Sequence, residues 1–153
     1  MNIPFRTFTP HEFLEEADKG AIILDVRAPL EYDEGHITGA ISWPLFSDDE
    51  RSEIGTLYKQ KSQVDAIEKG FEIIGPKMVE MTRYGRNLFE SQTHSHPLLV
   101  HCWRGGMRSQ SVAWLLRSSG VPAIVLEGGY KAFRSFARSH YDKPINLAVL
   151  GGL

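Results

Sequence analysis

The chain has 153 residues, 42% hydrophobic and 24% charged, which suits one globular domain with a real core. Its net charge of −2 gives no global nucleic-acid signature, so any RNA contact must be local or belong to another domain. The single cysteine rules out an internal disulfide and argues against an all-protein zinc site, so no metal is expected.

No apolar run approaches the ~20 residues that a membrane helix needs. The first residues, Met1 to Arg6, lack the basic-then-apolar build of a secretory signal, so a cytoplasmic protein is expected. Thr9-Pro10-His11-Glu12 reads as a helix start: Thr9 caps, Pro10 suits the first turn and Glu12 completes a capping box. Phe13, Leu14 and Ala17 supply the buried face until Gly20 stops the helix. Ala21 to Val26 is a short, almost wholly apolar run, as expected for a strand covered on both faces.

From about Ser47 to Ser95 the chain is polar and helical in pattern. Ile54, Leu57, Tyr58, Val64, Ile67, Phe71, Ile74, Met78, Met81 and Leu88 are read as core positions of a helical insertion. Further apolar runs follow at Pro97 to His101, Val121 to Leu126 and Leu147 to Leu150. Helical patterns fill Ser109 to Ser118 and Tyr130 to His140. Strands alternating with helices predict an α/β fold: a central, mostly parallel sheet, helices on both faces, and the insertion placed before the run that ends at Cys102.

The most informative segment is His101-Cys102-Trp103-Arg104-Gly105-Gly106-Met107-Arg108-Ser109. An apolar strand ends there, a loop with two glycines follows, and a helix begins. In an open α/β sheet this junction is where ligands bind. Gly105 and Gly106 allow successive N–H groups to form an anion nest, and the helix that follows adds its positive end. Arg104 and Arg108 add full positive charge. All three effects favour thiolate over thiol, so Cys102 is the expected nucleophile, in a cradle fit for thiosulfate, phosphate or selenophosphate. Trp103 is either a substrate wall or a lid packed on the loop.

These residues resemble the rhodanese superfamily over nearly the whole chain. Asp25-Val26-Arg27, then Glu31, then Gly35-His36-Ile37-Thr38-Gly39-Ala40 match the family's first signature. The cysteine loop matches the second, and Leu126-Glu127-Gly128-Gly129-Tyr130 the third. Asp25 and Arg27 are read as supporting residues, through an ion pair or backbone caps that orient the loops. Gly35 and Gly39 are read as turn glycines, and His36 as a partner for a backbone carbonyl. Gly128 and Gly129 are read as permitting close approach beneath the cysteine loop.

Ser47-Asp48-Asp49-Glu50-Arg51, Gly55-Thr56-Leu57-Tyr58-Lys59-Gln60, the cysteine loop and Leu126 to Ala132 together look like the tRNA 2-selenouridine synthase family. That resemblance implies a rhodanese-like domain over residues 1–144, with the insertion at about 47–95. A P-loop domain would follow, whose first strand and glycines are read in Asn146 to Leu153 unless that strand completes the same sheet. It implies a transferase that converts 2-thiouridine at the tRNA wobble position to 2-selenouridine. Selenophosphate would be the substrate, and geranyl diphosphate would bind in the absent P-loop domain rather than here. Cys102 would carry sulfur or selenium as a persulfide or perselenide.

Three other readings stay open. The spacing of Cys102 and Arg108, C-x5-R, also occurs in rhodanese-related phosphatases and arsenate reductases. A general thiosulfate sulfurtransferase would use the same cysteine with a sulfane-sulfur donor. A docking module without catalysis is the third, though the cysteine and both arginines argue against it. Lys131, Arg134 and Arg138, three to four apart on one helix, are either an RNA contact or a solvated face.

Overall fold

Local signals start most of the helices. In the computed structural model, which describes residues 6–141, helix α1 (Pro10–Asp18) opens with Thr9 Oγ1 accepting from Glu12 N–H and the Glu12 carboxylate accepting from Thr9 N–H. The same reciprocal pair, Ser47 with Glu50, opens α3 (Asp48–Gln60). Ser62 caps α4 (Gln63–Ile74) through Asp65 N–H. A 3-10 turn at Gly75–Lys77 leads into α5 (Met78–Glu90). Among the described residues no helix is long and apolar enough to cross a membrane.

Five parallel strands form one sheet: β1 (Thr7–Phe8), β2 (Ile23–Asp25), β3 (Ile41–Ser42), β4 (Leu98–His101) and β5 (Ala123–Leu126). Their order is β1-β5-β4-β2-β3, so β4 lies in the middle. The register aligns Asp25 of β2 with His101 of β4, and Val100 of β4 with Val125 of β5. Side chains alternate across the sheet as the strand period requires. Leu24, Val26, Leu98, Val100 and Val125 face one core, shared with Val112, Leu116 and Met81. Ile23, Leu99, Ile124 and Leu126 face the other, shared with Phe13 and Tyr130. The first core lies under α3, α4, α5 and α6 (Met107–Ser118); the second lies under α1 and α7 (Gly129–Tyr141). The fold is therefore α/β with helices on both faces, and the insertion occupies the stretch between β3 and β4.

Three elements lie outside the sequence expectation: β1, β3 and α2 (Pro29–Asp33). Two-residue strands and a five-residue helix are too short to show a period. The helix expected from Ser109 starts two residues earlier, at Met107, because the turn ends at Gly106. Within the insertion the core reading holds for Met81 and, in part, for Ile54, Ile74, Met78 and Leu88. It fails for Tyr58, Val64 and Phe71, which are 59%, 63% and 63% exposed. An apolar periodicity identifies a helix face, and nothing within the described chain covers the outer part of this one. The strand expected at 147–150 lies outside the described residues.

Candidate active site at the Cys102 loop

The middle strand delivers the cysteine. β4 ends at His101, and Cys102 follows at the C-terminal edge of the sheet, 3% exposed. The loop then turns sharply before α6. Gly105 has φ +69°, and a Cβ there would stand 2.7 Å from the Leu126 carbonyl oxygen. Gly129 has φ +61°, and a Cβ there would come within 2.5–2.7 Å of Gly105 N, Cys102 O and Arg104 N. Backbone lies on backbone here, which only glycine allows. The third motif thus builds the floor of the second: Tyr130 N–H donates to Cys102 O (2.9 Å) and Lys131 N–H to Trp103 O (3.0 Å).

These bonds use the carbonyls of the loop and leave its donors unclaimed. The N–H groups from Trp103 through Ser109 have no acceptor among the described residues. Gly106 caps α6 without a side chain, so the free N–H groups of the loop run directly into those of the helix terminus. Consecutive unclaimed donors of this kind, next to a cysteine and a helix N-terminus, are the type of backbone that binds anions. Cys102 Sγ lies 3.2 Å from Ser109 Oγ, which lies 3.2 Å from Gly106 O. The hydroxyl has one proton. It can donate to Gly106 O while the thiol donates to it, or turn and donate to a thiolate.

Arg108 is less free than its place in the loop suggests. Its Nη1 and Nη2 donate to Glu31 at 2.6 and 3.3 Å. Glu31 on α2 also accepts from Arg51 Nε (2.9 Å) and from Ala28 N–H (3.0 Å), so it joins α2, α3 and α6. Burial alone would raise the Glu31 carboxyl, but the Arg108 hydrogen bonds and charge outweigh it and hold the group below its ordinary range. Arg104 is exposed and makes no ion pair among the described residues. Trp103 packs on Tyr130, ring centroids 5.9 Å apart. Both rings line a pocket of about 190 Å³ with Glu34 and Arg134. Met107, half exposed, points to the opposite side and lines an apolar cleft of about 620 Å³ with Phe71, Ile74, Met78 and Trp114.

Beneath the loop lies a buried ionic cluster. Arg27 Nε and Nη2 grip the Asp25 carboxylate at 2.9 and 2.6 Å, and Nη2 also donates to Gly35 O at 2.8 Å. The guanidinium carbon sits 4.0 Å from the centre of the Tyr130 ring. Asp25 and Arg27 thus tie the first motif to the third. His101 completes the cluster: its Nε2 is 3.5 Å from Asp25 Oδ2 and has no hydrogen-bond partner. Burial pushes it down to about 4, against the attraction of Asp25 and with the help of Arg27's charge, so the ring is neutral at pH 7. His36 stacks on Tyr32 and meets its carbonyl at 3.0 Å, so it does partner a backbone carbonyl.

Sequence reading did not single out Glu31, Ser109 or His101 as parts of the site. Glu31 had a visible signal, its place four residues after Arg27, but its partner is 77 positions away.

Comparison with known proteins agrees with the geometry. The rhodanese-like domain model matches residues 9–136. The tRNA 2-selenouridine synthase of Nitrosomonas europaea is 38% identical over 122 residues, 79% of this chain and 31% of that protein. The chain spans about a third of the length of the curated relatives it matches. The crystal structure of the N-terminal domain of a putative ATP/GTP binding protein from Clostridium difficile 630 is 38% identical. It covers 86% of this chain and 98% of its own, with a TM-score of 0.77. An As-Sb reductase from Leishmania major shares the fold alone, at 19% identity over 89% of this chain and 81% of its own, TM-score 0.55. With the cysteine loop, its glycine floor and the Asp25–Arg27 brace all in place, this chain belongs to the rhodanese-like domain family.

Proposed function

We propose that Cys102 is the nucleophile of a chalcogen-transfer domain and carries a transferable sulfur or selenium atom. The observation that supports this most is the run of unclaimed N–H donors from Trp103 to Ser109 beside the buried sulfur. In the balanced step, the Cys102 thiolate attacks the sulfane sulfur of thiosulfate. A Cys102 S–S bond forms, the donor S–S bond breaks, and its electron pair leaves with sulfite. The cradle stabilises both dianions and the terminal persulfide anion. A perselenide forms in the same way from a donor with zero-valent selenium, such as selenosulfate. Selenophosphate holds selenium at the selenide level, so the loop's role toward it is to bind the phosphate group. This sequence holds no second cysteine to resolve the adduct, so the acceptor lies outside it.

By their names, the relatives act on tRNA. We assign this chain the same setting: the chalcogen-handling part of a cytoplasmic enzyme that converts 2-thiouridine to 2-selenouridine in tRNA. Thiosulfate and selenosulfate, added separately to wild type and Cys102→Ser, test the carrier role by intact mass without reductant. A gain of one sulfur or selenium atom only in the wild type supports it; equal gain in both proteins ends it. The six-position spacing of Cys102 and Arg108 favours a second reading, phosphate-ester or arsenate chemistry through a phosphocysteine. Hydrolysis of an aryl phosphate that vanishes in Cys102→Ser would promote that reading.

A further inference from the structure

The exposed side of α7 breaks the charge balance of the chain. The protein has 19 acidic and 17 basic residues, yet α7 contains Lys131, Arg134 and Arg138 and no carboxylate. Their spacing puts the three cations on one face over about 10 Å of helix. The opposite face, with Tyr130 and Phe133, packs into the core. Among the described residues none of the three cations is in an ion pair. Three of the four carboxylates of neighbouring α1 are engaged elsewhere: Glu12 with Thr9, Glu15 with His11, and Glu16 with Lys19 and His96. The fourth, Asp18, lies at the helix end and lines a cleft with Phe133. An ordinary solvated helix mixes both signs, and this one does not.

The same face is continuous with the cysteine loop. Lys131 N–H bonds Trp103 O, and Arg134 lines the 190 Å³ pocket together with Trp103 and Tyr130. Arg104, exposed and unpaired, extends the positive charge onto the loop itself. The pocket also has acidic walls, Glu34 and Glu31. Glu31 is held by two arginines, whereas Glu34 has no ion-pair partner among the described residues. The two carboxylates balance Arg27 and Arg134 in that lining, so a phosphate gains no net attraction there, whereas a flat ring that stacks on indole can offer an N–H to Glu34. Two chemistries therefore sit side by side: a stacking pocket with hydrogen-bond acceptors, and a strip of cations suited to phosphates.

We infer that this surface binds single-stranded RNA, with one unpaired base against Trp103 and the adjoining phosphates along Lys131, Arg134 and Arg138. It presents the acceptor nucleotide beside the residue that follows Cys102. The inference rests on the chalcogen-transfer reading only for its purpose, not for its geometry. An acidic peptide or an anionic bilayer would use the cations and leave the pocket empty.

The test is fluorescence anisotropy of a labelled uridine-rich RNA with this chain across a range of salt. Each phosphate contact in a single strand contributes about 0.7 to the slope of log K against log salt. Lys131→Gln/Arg134→Gln/Arg138→Gln should therefore flatten the slope by about 2. Lys59→Gln/Lys61→Gln/Arg83→Gln, on exposed parts of the insertion, should leave it unchanged. Trp103→Ala should weaken binding about tenfold with the slope retained, as loss of one stacked base does. Equal losses from the two triple variants overturn the inference. So does absence of binding by the wild type, or equal affinity for polyglutamate or phosphatidylserine vesicles. Chalcogen loading of Cys102 is measured on the same samples. Loading that fails while RNA binding behaves as stated removes the transfer reading alone; loading that succeeds while α7 proves irrelevant removes this one alone.

Discussion

Acidification from pH 7 to pH 5 should weaken this domain through one buried ring. His101 is fully buried between Phe13, Tyr130 and the Asp25–Arg27 pair, and is pushed from an ordinary 6.5 down to about 4. A group lowered in this way binds its proton more readily in the unfolded chain. Stability is full above pH 6.5 and falls as the pH drops toward 4. At pH 5 the unfolded ring is almost wholly protonated and the folded ring almost wholly neutral, a loss of about 2 kcal/mol. Carboxylates held low, such as Glu31, lose their contribution only near and below their ordinary 4.5, so they add little in this window. Urea unfolding followed by tryptophan fluorescence at pH 7 and pH 5 measures the difference. In His101→Phe, which keeps the ring and removes the titration, most of the pH dependence should vanish whatever its absolute stability. An equal loss in wild type and His101→Phe would refute the argument.

Other expectations follow from the same geometry. Glu31→Gln removes the carboxylate that holds Arg108 and Arg51, and should cost about 1–2 kcal/mol by denaturant unfolding. With the counter-charge gone, sulfite or phosphate should protect Cys102 from alkylation at several-fold lower concentration, and weaker protection would contradict a restraining role for Glu31 on Arg108. Gly105→Ala places a methyl group against the Leu126 carbonyl at φ +69°, so it should cost at least about 2 kcal/mol and disturb Cys102 alkylation kinetics. Thr9→Ala removes a cap remote from the loop; a loss of about 1 kcal/mol with unchanged Cys102 alkylation is expected from thermal unfolding and the same thiol assay.

Much of the fold is legible in the chain because its signals are local. Thr9 and Glu12 bond each other three residues apart, and the apolar runs around Ile23, Leu99 and Ile124 become the three inner strands. The cysteine loop is legible for the same reason: Cys102 and its glycines are contiguous, and their order dictates a turn between strand and helix. What stays hidden is whatever the fold brings together from afar. Nothing in the residues near Arg108 announces Glu31, and nothing near Arg27 announces the face of Tyr130. Ser109 is adjacent in sequence but reads as a helix residue until its hydroxyl is seen beside Sγ. The exposed Tyr58, Val64 and Phe71 mark a different limit. Periodicity tells which side of a helix is apolar, but not whether another element of the same chain covers it.

Cys102 as a chalcogen carrier among the free N–H donors of its loop is put to the test by the intact mass of the protein after exposure to thiosulfate. Wild type should gain one sulfur atom, cyanide or a small thiol should remove it, and Cys102→Ser should gain none. A wild-type protein whose thiol alkylates readily yet never takes up sulfur or selenium from sulfane-type donors would contradict it.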